Sequence, residues 1–139
     1  MVKTYDPKQV AVIIGGNIIT GFTDGTFVMV ERNDPAFNLK VGVDGIGTRA
    51  KTNNQSGKIT ITLHQSSASN DTLSALASAD ELSNTGVVPA MVRDASGRTL
   101  CTALTAWVQK YANGEFAKEV TNRVWVIETD QLIIFDGGN

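Results

Sequence analysis

The sequence predicts a mainly β domain, an antiparallel β-sandwich or barrel with one α-helix near the middle of the chain. Short β-branched or alternating runs recur between clusters of Gly, Asn and Asp, and they give roughly seven to nine strands. The stretch from Leu73 to Leu82 carries apolar residues at a helical spacing, between residues that suit a helix start and a helix stop. A length of 139 residues fits a single domain spanning 1–139.

The first third of the chain predicts a hairpin and then a covered strand. Residues 10–14 and 18–22 flank Gly15-Gly16-Asn17, where glycine permits a tight hairpin turn. Residues 26–32 carry apolar side chains on both faces, so we expect cover on both sides. One helix cannot supply all of it, and either a closed barrel or a second subunit supplies the rest. The side chains concerned are Phe27, Met29, Trp125 and Ile127.

Residues 33–57 are rich in Asn, Asp, Gly and Lys, and they predict a long loop with a short strand around 47–52. Loops longer than about 12–15 residues are uncommon unless they are functional or disordered. The segment that follows, 58–64, alternates without a break. One face carries Ile59, Ile61 and Leu63, and the other carries Thr60, Thr62 and His64.

The predicted helix begins after the small polar residues 66–70, which suit an N-cap. Asp71 follows, where its negative charge meets the positive end of the helix dipole. Asn84-Thr85-Gly86 is a C-terminal stop signal.

The last third predicts three further strands. Residues 87–94 contain Pro89, which indicates an edge strand or a strand start. Residues 99–111 fit a helix or a strand, and the flanking turn residues favour a strand. Residues 121–135 form a strand with a bend at 129–131, and we expect the tail 136–139 to fray.

The composition argues against catalysis and tight DNA binding. The net charge of −2 gives no electrostatic drive towards a phosphate backbone. His64 and Cys101 are the only residues of their types, so an intramolecular disulfide and a multi-cysteine zinc site are both excluded. The aspartates are scattered in turns and caps, which argues against a metal site. We therefore expect no enzyme activity, no cofactor, no metal and no membrane span.

Charged residues of both signs lie in or beside the segment 33–57. Such mixed charges usually mark a solvated face. A loop that docks onto a neighbouring subunit carries the same pattern, because complementary rim charges fix register. The basic residues are Arg32, Lys40, Arg49, Lys51 and Lys58, and the acidic residues are Glu31, Asp34 and Asp44.

Several segments resemble the tail-tube-type structural proteins of contractile-tailed bacteriophages and their prophages. The resemblance is densest over 5–76 and lies in a combination of turns, strand ends and a helix start. The matching segments are Tyr5-Asp6-Pro7-Lys8-Gln9-Val10, Ile19-Thr20-Gly21-Phe22-Thr23-Asp24-Gly25-Thr26-Phe27, Val30-Glu31-Arg32-Asn33, Asn53-Asn54-Gln55-Ser56-Gly57 and Ser69-Asn70-Asp71-Thr72-Leu73-Ser74-Ala75-Leu76.

This resemblance implies a fold similar to inner tube proteins of phages and of type VI secretion systems. Such proteins form hexameric rings that stack into a hollow tube inside a contractile sheath. The resemblance assigns contacts between subunits to the N-terminal arm 1–9 and the loop 33–57. The candidate contact residues are Tyr5, Asp6, Arg32, Lys40, Asp44, Arg49 and Lys51.

The implied partners are further copies of the chain, the tail sheath protein, a tape-measure protein, and baseplate and terminator proteins. Genomic DNA would pass through the tube transiently during ejection, without specific binding. Thr60, Thr62 and His64 would line either the lumen or the outer wall. The implied location is the virion, after assembly in the host bacterial cytoplasm.

Two other functions fit the same residues. A baseplate or tube-initiator protein shares the fold but stops at one ring. A monomeric β-sandwich binding module is disfavoured by the low aromatic content of 6%, since sugar-binding sheets use aromatic platforms.

Overall fold

A computed structural model describes residues 1–138, and over this range the chain forms ten strands, one α-helix and one 3-10 turn, Pro7–Gln9. The predicted mainly β fold with one mid-chain helix is confirmed. The strands are β1 (Val10–Ile14), β2 (Asn17–Ile18), β3 (Val28–Arg32), β4 (Phe37–Val41), β5 (Gly47–Lys51), β6 (Gly57–His64), β7 (Val88–Asp94), β8 (Leu100–Lys110), β9 (Asn122–Thr129) and β10 (Ile133–Phe135), and the helix α1 is Ser69–Ser83.

Eight strands form one antiparallel sheet in the order β2-β1-β7-β8-β9-β6-β3, with β10 paired to β8. The strands β9 and β10 pair with β8 in one register, so 122–135 runs along β8 with a break at the predicted bend. The strands β4 and β5 form a separate two-stranded sheet. The segment 33–57 is therefore built around a hairpin, and the predicted loop is wrong except for the strand near 47–52.

The sheet curls strongly but does not close, so the closed-barrel alternative is wrong for the part of the chain that the structure describes. No ladder within residues 1–138 joins β1 or β2 to β3. The segment 19–23 spans the gap instead. Ile19 donates its N–H to the Val12 carbonyl at 2.9 Å, and His64 donates its N–H to the Gly21 carbonyl at 2.8 Å. The same short segment thus bonds to β1 and to β6, which are the second strands from the two ends of the sheet.

The core fills the inside of the curled sheet and is closed by α1. Leu73 and Ala77 of the helix are buried in it. The Trp125 Nε1–H donates to Asn70 Oδ1 at 2.9 Å, which ties β9 to the first turn of the helix. The other buried apolar side chains are Val12, Ile14, Ile19, Ile59, Ile61, Leu63, Ala90, Val92, Cys101, Ala103, Ala106, Val108, Trp125, Ile127 and Leu132.

The predicted need for cover from a closed barrel or a second subunit has different outcomes for β9 and for β3. Trp125 and Ile127 are buried within one chain, so they need no second subunit. Met29 is 50% exposed, because it lies beside Thr60 on the outer face of the sheet. The closed barrel therefore does not supply the expected cover of β3, and cover by a second subunit stays a prediction.

The predicted hairpin of β1 and β2 is confirmed, with Gly15 and Gly16 at φ of 59° and 81°. Its second strand is shorter than expected, because the chain leaves β1 after Ile19 and crosses to β6. The helix ends as predicted at Asn84, which adopts the left-handed conformation. At its other end the N-cap position is Ala68, which makes no side-chain cap bond, and Ser67 Oγ instead accepts the Ser69 N–H at 3.2 Å.

The strand predicted over 99–111 is confirmed as β8. Pro89 lies near the start of β7, beside a register shift against β8, and β7 itself is a central strand. The expected fraying of the tail is wrong for residues 136–138. Thr99 Oγ1 donates to the Gly137 carbonyl at 3.0 Å, and Arg98 donates its N–H to the Gly138 carbonyl at 3.2 Å. Asn139 lies outside the described residues.

Candidate assembly surfaces

The β4–β5 hairpin is an extension of the β3–β6 pair. Backbone and side-chain bonds continue the ribbon between the two ladders: Asn33 donates its N–H to the Ser56 carbonyl at 3.0 Å, and Thr52 donates to the Ala36 carbonyl at 2.8 Å. All ten hairpin residues are nonetheless exposed. An ordered two-stranded ribbon without a core of its own is only marginally stable by itself. This hairpin is therefore positioned by the body and available for contact.

The two faces of the hairpin differ in chemistry. The first carries Phe37, Leu39 and Val41, opposite Lys51, Arg49 and Gly47 respectively. Leu39 is 71% exposed, and the Arg49 guanidinium lies 4.2 Å from the centre of the Phe37 ring. We call this side the hairpin apolar face, defined by Phe37, Leu39, Val41, Arg49 and Lys51.

The opposite hairpin face is polar, with Asn38 and Lys40 paired to Ala50 and Thr48. The structure thus separates Lys40 from Arg49 and Lys51, which the sequence grouped together. Asp44 lies in the turn, where its Oδ1 accepts the Ile46 N–H at 3.2 Å. This carboxylate shapes the turn.

The remaining contact candidates lie away from the hairpin. Tyr5 is exposed on the arm, and Asp6 caps the 3-10 turn by accepting the Lys8 N–H at 3.0 Å. Arg32 donates from Nε and Nη2 to the Leu132 carbonyl at 3.0 and 2.7 Å. Its guanidinium joins β3 to the segment before β10 within one chain.

A cleft of about 850 Å3 opens at the end of the sheet where β3 begins. Its apolar lining comes from four strands and the preceding loop: Val10, Phe27, Val28, Val30, Val92 and Ile134. Asp24, Asp94 and Asp136 also line it, together with Tyr5 and Pro7 of the arm, and among the described residues 1–138 no Lys or Arg lines it. We call this feature the acidic cleft.

Cys101 belongs to the same cleft and is 2% exposed. Burial, and secondarily the Asp136 carboxylate, raise the pKa of its thiol. The negative charge at the cleft therefore acts on the Cys101 thiol. This thiol stays protonated and unreactive at neutral pH, so Cys101 packs as a small apolar side chain.

Thr60, Thr62 and His64 share the outer face of β6, as the alternation predicts, and each is half-buried. Their cross-strand neighbours on β9 are Val126, Val124 and Asn122. Met29 flanks Thr60 from β3. The face is thus mixed in polarity, with threonine hydroxyls set between exposed apolar side chains. One row further along, Lys58 lies between Glu31 and Glu128.

The described residues show neither a metal-binding group nor a membrane-spanning helix. No group of three or more His, Cys, Asp and Glu side chains converges within residues 1–138. No helix in that range combines the length and apolar character that a membrane crossing requires.

The fold is similar to that of proteins from contractile injection systems. It superposes with a TM-score of 0.65 on the sheath/tube terminator of the extracellular contractile injection system PVC, at 11% identity over 97% of this chain and 99% of that chain. The PVC sheath-tube complex gives a TM-score of 0.62 at 12% identity, over 95% of this chain and 91% of that one. The tube-terminating cap of the anti-feeding prophage gives 0.59 at 12%, over 97% and 94%.

The chain belongs to the family described as Bacteriophage PhiTE tail tube protein, which it matches over residues 13–136. It is also 33% identical over 145 residues to "Structural protein ORF10" of Pseudomonas phage KPP10, covering 99% of this chain and 84% of that protein. The suspected family is therefore confirmed. Membership identifies a structural component of a phage tail, and so of a virion, and it implies a non-enzymatic role.

Proposed function

We propose that this chain is the inner-tube subunit of a contractile tail, forming hexameric rings that stack into a conduit for DNA. The β4–β5 hairpin carries the proposal. It is an ordered ribbon whose apolar face is exposed, with no cover from the part of its own chain that the structure describes. A contiguous exposed apolar surface on a soluble protein marks a contact site. Because the hairpin belongs to a member of a tail tube family, another subunit is the favoured partner for this face.

Within a ring, the free sheet edges supply the natural contact. The edge strand β3 pairs on one side only, and β2 is two residues long at the other end of the sheet. An unpaired edge is a template for strand addition, and a closed ring removes it as an aggregation hazard. This supports rings joined edge to edge and stacked through the hairpin and the N-terminal arm.

We assign the lumen wall to the outer face of β6, with Thr60, Thr62 and His64. The adjacent row of Glu31, Lys58 and Glu128 carries no excess of positive charge. A wall with few Lys and Arg side chains releases few counterions from DNA, so it does not bind the passing duplex tightly. A bulky maleimide applied to assembled tubes of Thr62→Cys tests this. Labelling that proceeds only from the tube ends supports the lumen, and uniform labelling along the tube places Thr62 on the outer wall.

The partners that follow from this assignment are the sheath around the tube, a tape-measure protein inside it, and baseplate and terminator proteins at its ends. Assembly would take place in the cytoplasm of the host bacterium. Similarity to a sheath-tube complex and to two tube-ending proteins supports this set.

A second candidate is a protein that stops at one ring, in the baseplate or at tube initiation. The same fold occurs in a tube terminator and a tube-terminating cap, so the fold serves single-ring roles as well. The description of the family and the full-length likeness to a phage structural protein favour the tube.

Native mass and negative-stain electron microscopy of the concentrated protein separate these functions. Stacked rings or hollow tubes support the inner-tube subunit. A single closed ring supports the baseplate or initiator role. A monomer at every concentration counts against the self-assembling tube subunit and favours either a baseplate component that assembles only with its partners or a monomeric binding module.

A further inference from the structure

The acidic cleft and the hairpin apolar face are complementary surfaces on one chain. The cleft has an apolar lining and three aspartates, Asp24, Asp94 and Asp136, and its described lining includes no basic residue. The hairpin face presents three apolar side chains and two cations. Apolar burial supplies affinity in such contacts, and complementary charges fix orientation and exclude wrong partners.

The spacing of the hairpin side chains suits a groove. Phe37, Leu39 and Val41 occupy alternate positions of β4, so they follow one another at about 7 Å along one line. Arg49 and Lys51 lie on the same side, one strand away, and the described strands of the hairpin place no acidic residue there. A row of apolar groups with a cationic flank therefore faces outward.

A chain cannot bring its own hairpin into its own cleft. The cleft lies at the start of β3, around Phe27 and Val28, whereas the hairpin leaves the far end of β3 after Arg32. The whole of β3 and the link 33–36 separate Phe27 from the first strand of the hairpin. The two surfaces thus lie at opposite ends of one ribbon.

We propose that the acidic cleft of one copy receives the hairpin apolar face of a second copy, with Arg49 and Lys51 against Asp24 and Asp136. This assignment rests on the proposed tube function and specifies the contact. The two surfaces differ, so the contact is head-to-tail and propagates with a direction. One end of the assembly exposes hairpins and the other exposes clefts, so each end-capping protein has to match only one of them.

The N-terminal arm of a second copy is the rival occupant, since Met1, Val2 and Lys3 are also apolar and cationic. The hairpin is favoured by its fixed geometry. Its side chains are held on one face by a strand ladder, whereas the arm passes the rim of its own cleft through Tyr5 and Pro7.

Disulfide trapping tests the contact in the full chain with Cys101→Ala as background. A chain carrying both Leu39→Cys and Thr26→Cys should form a covalent ladder on oxidation, because each copy then offers one donor and one acceptor thiol. A chain that carries only one of the two cysteines has a single thiol, so oxidation should give dimers at most. The matched control combines Asn38→Cys, on the opposite hairpin face, with Thr26→Cys, and it should give little ladder.

Charge reversal gives a second readout on the same ladder. Arg49→Glu with Lys51→Glu should reduce ladder formation at least about tenfold, since like charges then meet. Adding Asp24→Lys with Asp136→Lys should restore it. Lys40→Glu, on the polar hairpin face, should leave it unchanged.

An equal ladder from the Asn38→Cys control, or dimers only from the double variant, overturns the proposal. So does a ladder that forms with Lys3→Cys and Thr26→Cys but not with Leu39→Cys, which assigns the cleft to the arm. Stacked tubes of the unmodified protein without a ladder overturn the docking contact alone and leave the tube function standing. A ladder without tubes supports the docking contact and counts against the tube.

Discussion

The strands β4 and β6 carry the same alternating pattern and meet opposite environments. In β6 the apolar residues Ile59, Ile61 and Leu63 are fully buried. In β4 the apolar residues Phe37, Leu39 and Val41 are all exposed. The difference comes from the neighbours, because β6 is paired on both edges and backed by the core, whereas β4 has β5 alone. Alternating apolar residues therefore indicate a strand with one apolar face. The strand's neighbours in the fold decide whether that face is buried within the same chain.

The largest expected difference between the two strands is in folding stability. Ile61→Ala removes a side chain with no exposed surface, and we expect it to lower the free energy of unfolding by about 2–5 kcal/mol. Leu39→Ala should change it by less than about 0.5 kcal/mol, because the side chain is exposed in the single chain. Urea denaturation of the unassembled protein, followed by tryptophan fluorescence, measures both. Equal losses from the two variants would contradict the contrast.

A smaller effect is expected at the junction of the hairpin ribbon and the body. A Cβ on Gly57 would lie 2.5 Å from Leu132 Cδ2 and 2.6 Å from the Glu31 carbonyl. We expect Gly57→Ala to cost about 1–3 kcal/mol through this overpacking.

The matched control for that junction is Gly114→Ala, where a Cβ would meet nothing within 4 Å. Thermal unfolding compares the two, and we expect Gly114→Ala to melt within a few degrees of the unsubstituted protein. A Gly57→Ala protein that melts like the control would show that the junction tolerates a shift, and that the hairpin is less firmly held than described.

The strands that bury one face were predicted correctly from the sequence. The wrong predictions concern segments whose apolar side chains are exposed in the single chain. The strand β4 was missed because the residues around it read as loop, although Phe37, Leu39 and Val41 alternate correctly for a strand. The helix stripe drifts because its apolar residues recur every three positions, and Leu82 is 87% exposed as a result. The alternation of β6 needed no tertiary information, since its own pattern matched its burial.

The assembly surfaces were only partly predictable. The charges of 33–57 were visible in the sequence, but their division between two faces depended on the β4–β5 register, which places Lys40 away from Arg49. Arg32 was grouped with them and instead bonds the Leu132 carbonyl, a partner one hundred residues away. The acidic cleft could not be predicted, because its lining comes from separate strands and the arm that only the topology brings together.

The smallest expected effect is on pH dependence at the cleft. The pKa of the Cys101 thiol is raised in the folded state above its ordinary value of 9.0. The stabilisation that follows from this shift is therefore fully present at pH values below 9.0. The contribution is lost as the pH rises above that value, because the unfolded chain then releases a proton that the folded chain retains. Denaturation at pH 7 and pH 10 should show a smaller loss for Cys101→Ala than for the unsubstituted protein. Identical losses would show that the thiol is not shielded by the fold.

The central claim is that the hairpin apolar face holds the assembly together. The most direct test compares Leu39→Asp with Asn38→Asp, which place the same charge on opposite faces of one strand, by negative-stain electron microscopy. We expect the unsubstituted protein and Asn38→Asp to form stacked rings or tubes, and Leu39→Asp to remain folded but unassembled. Tubes from Leu39→Asp, or equal loss of tubes from both variants, would contradict the account.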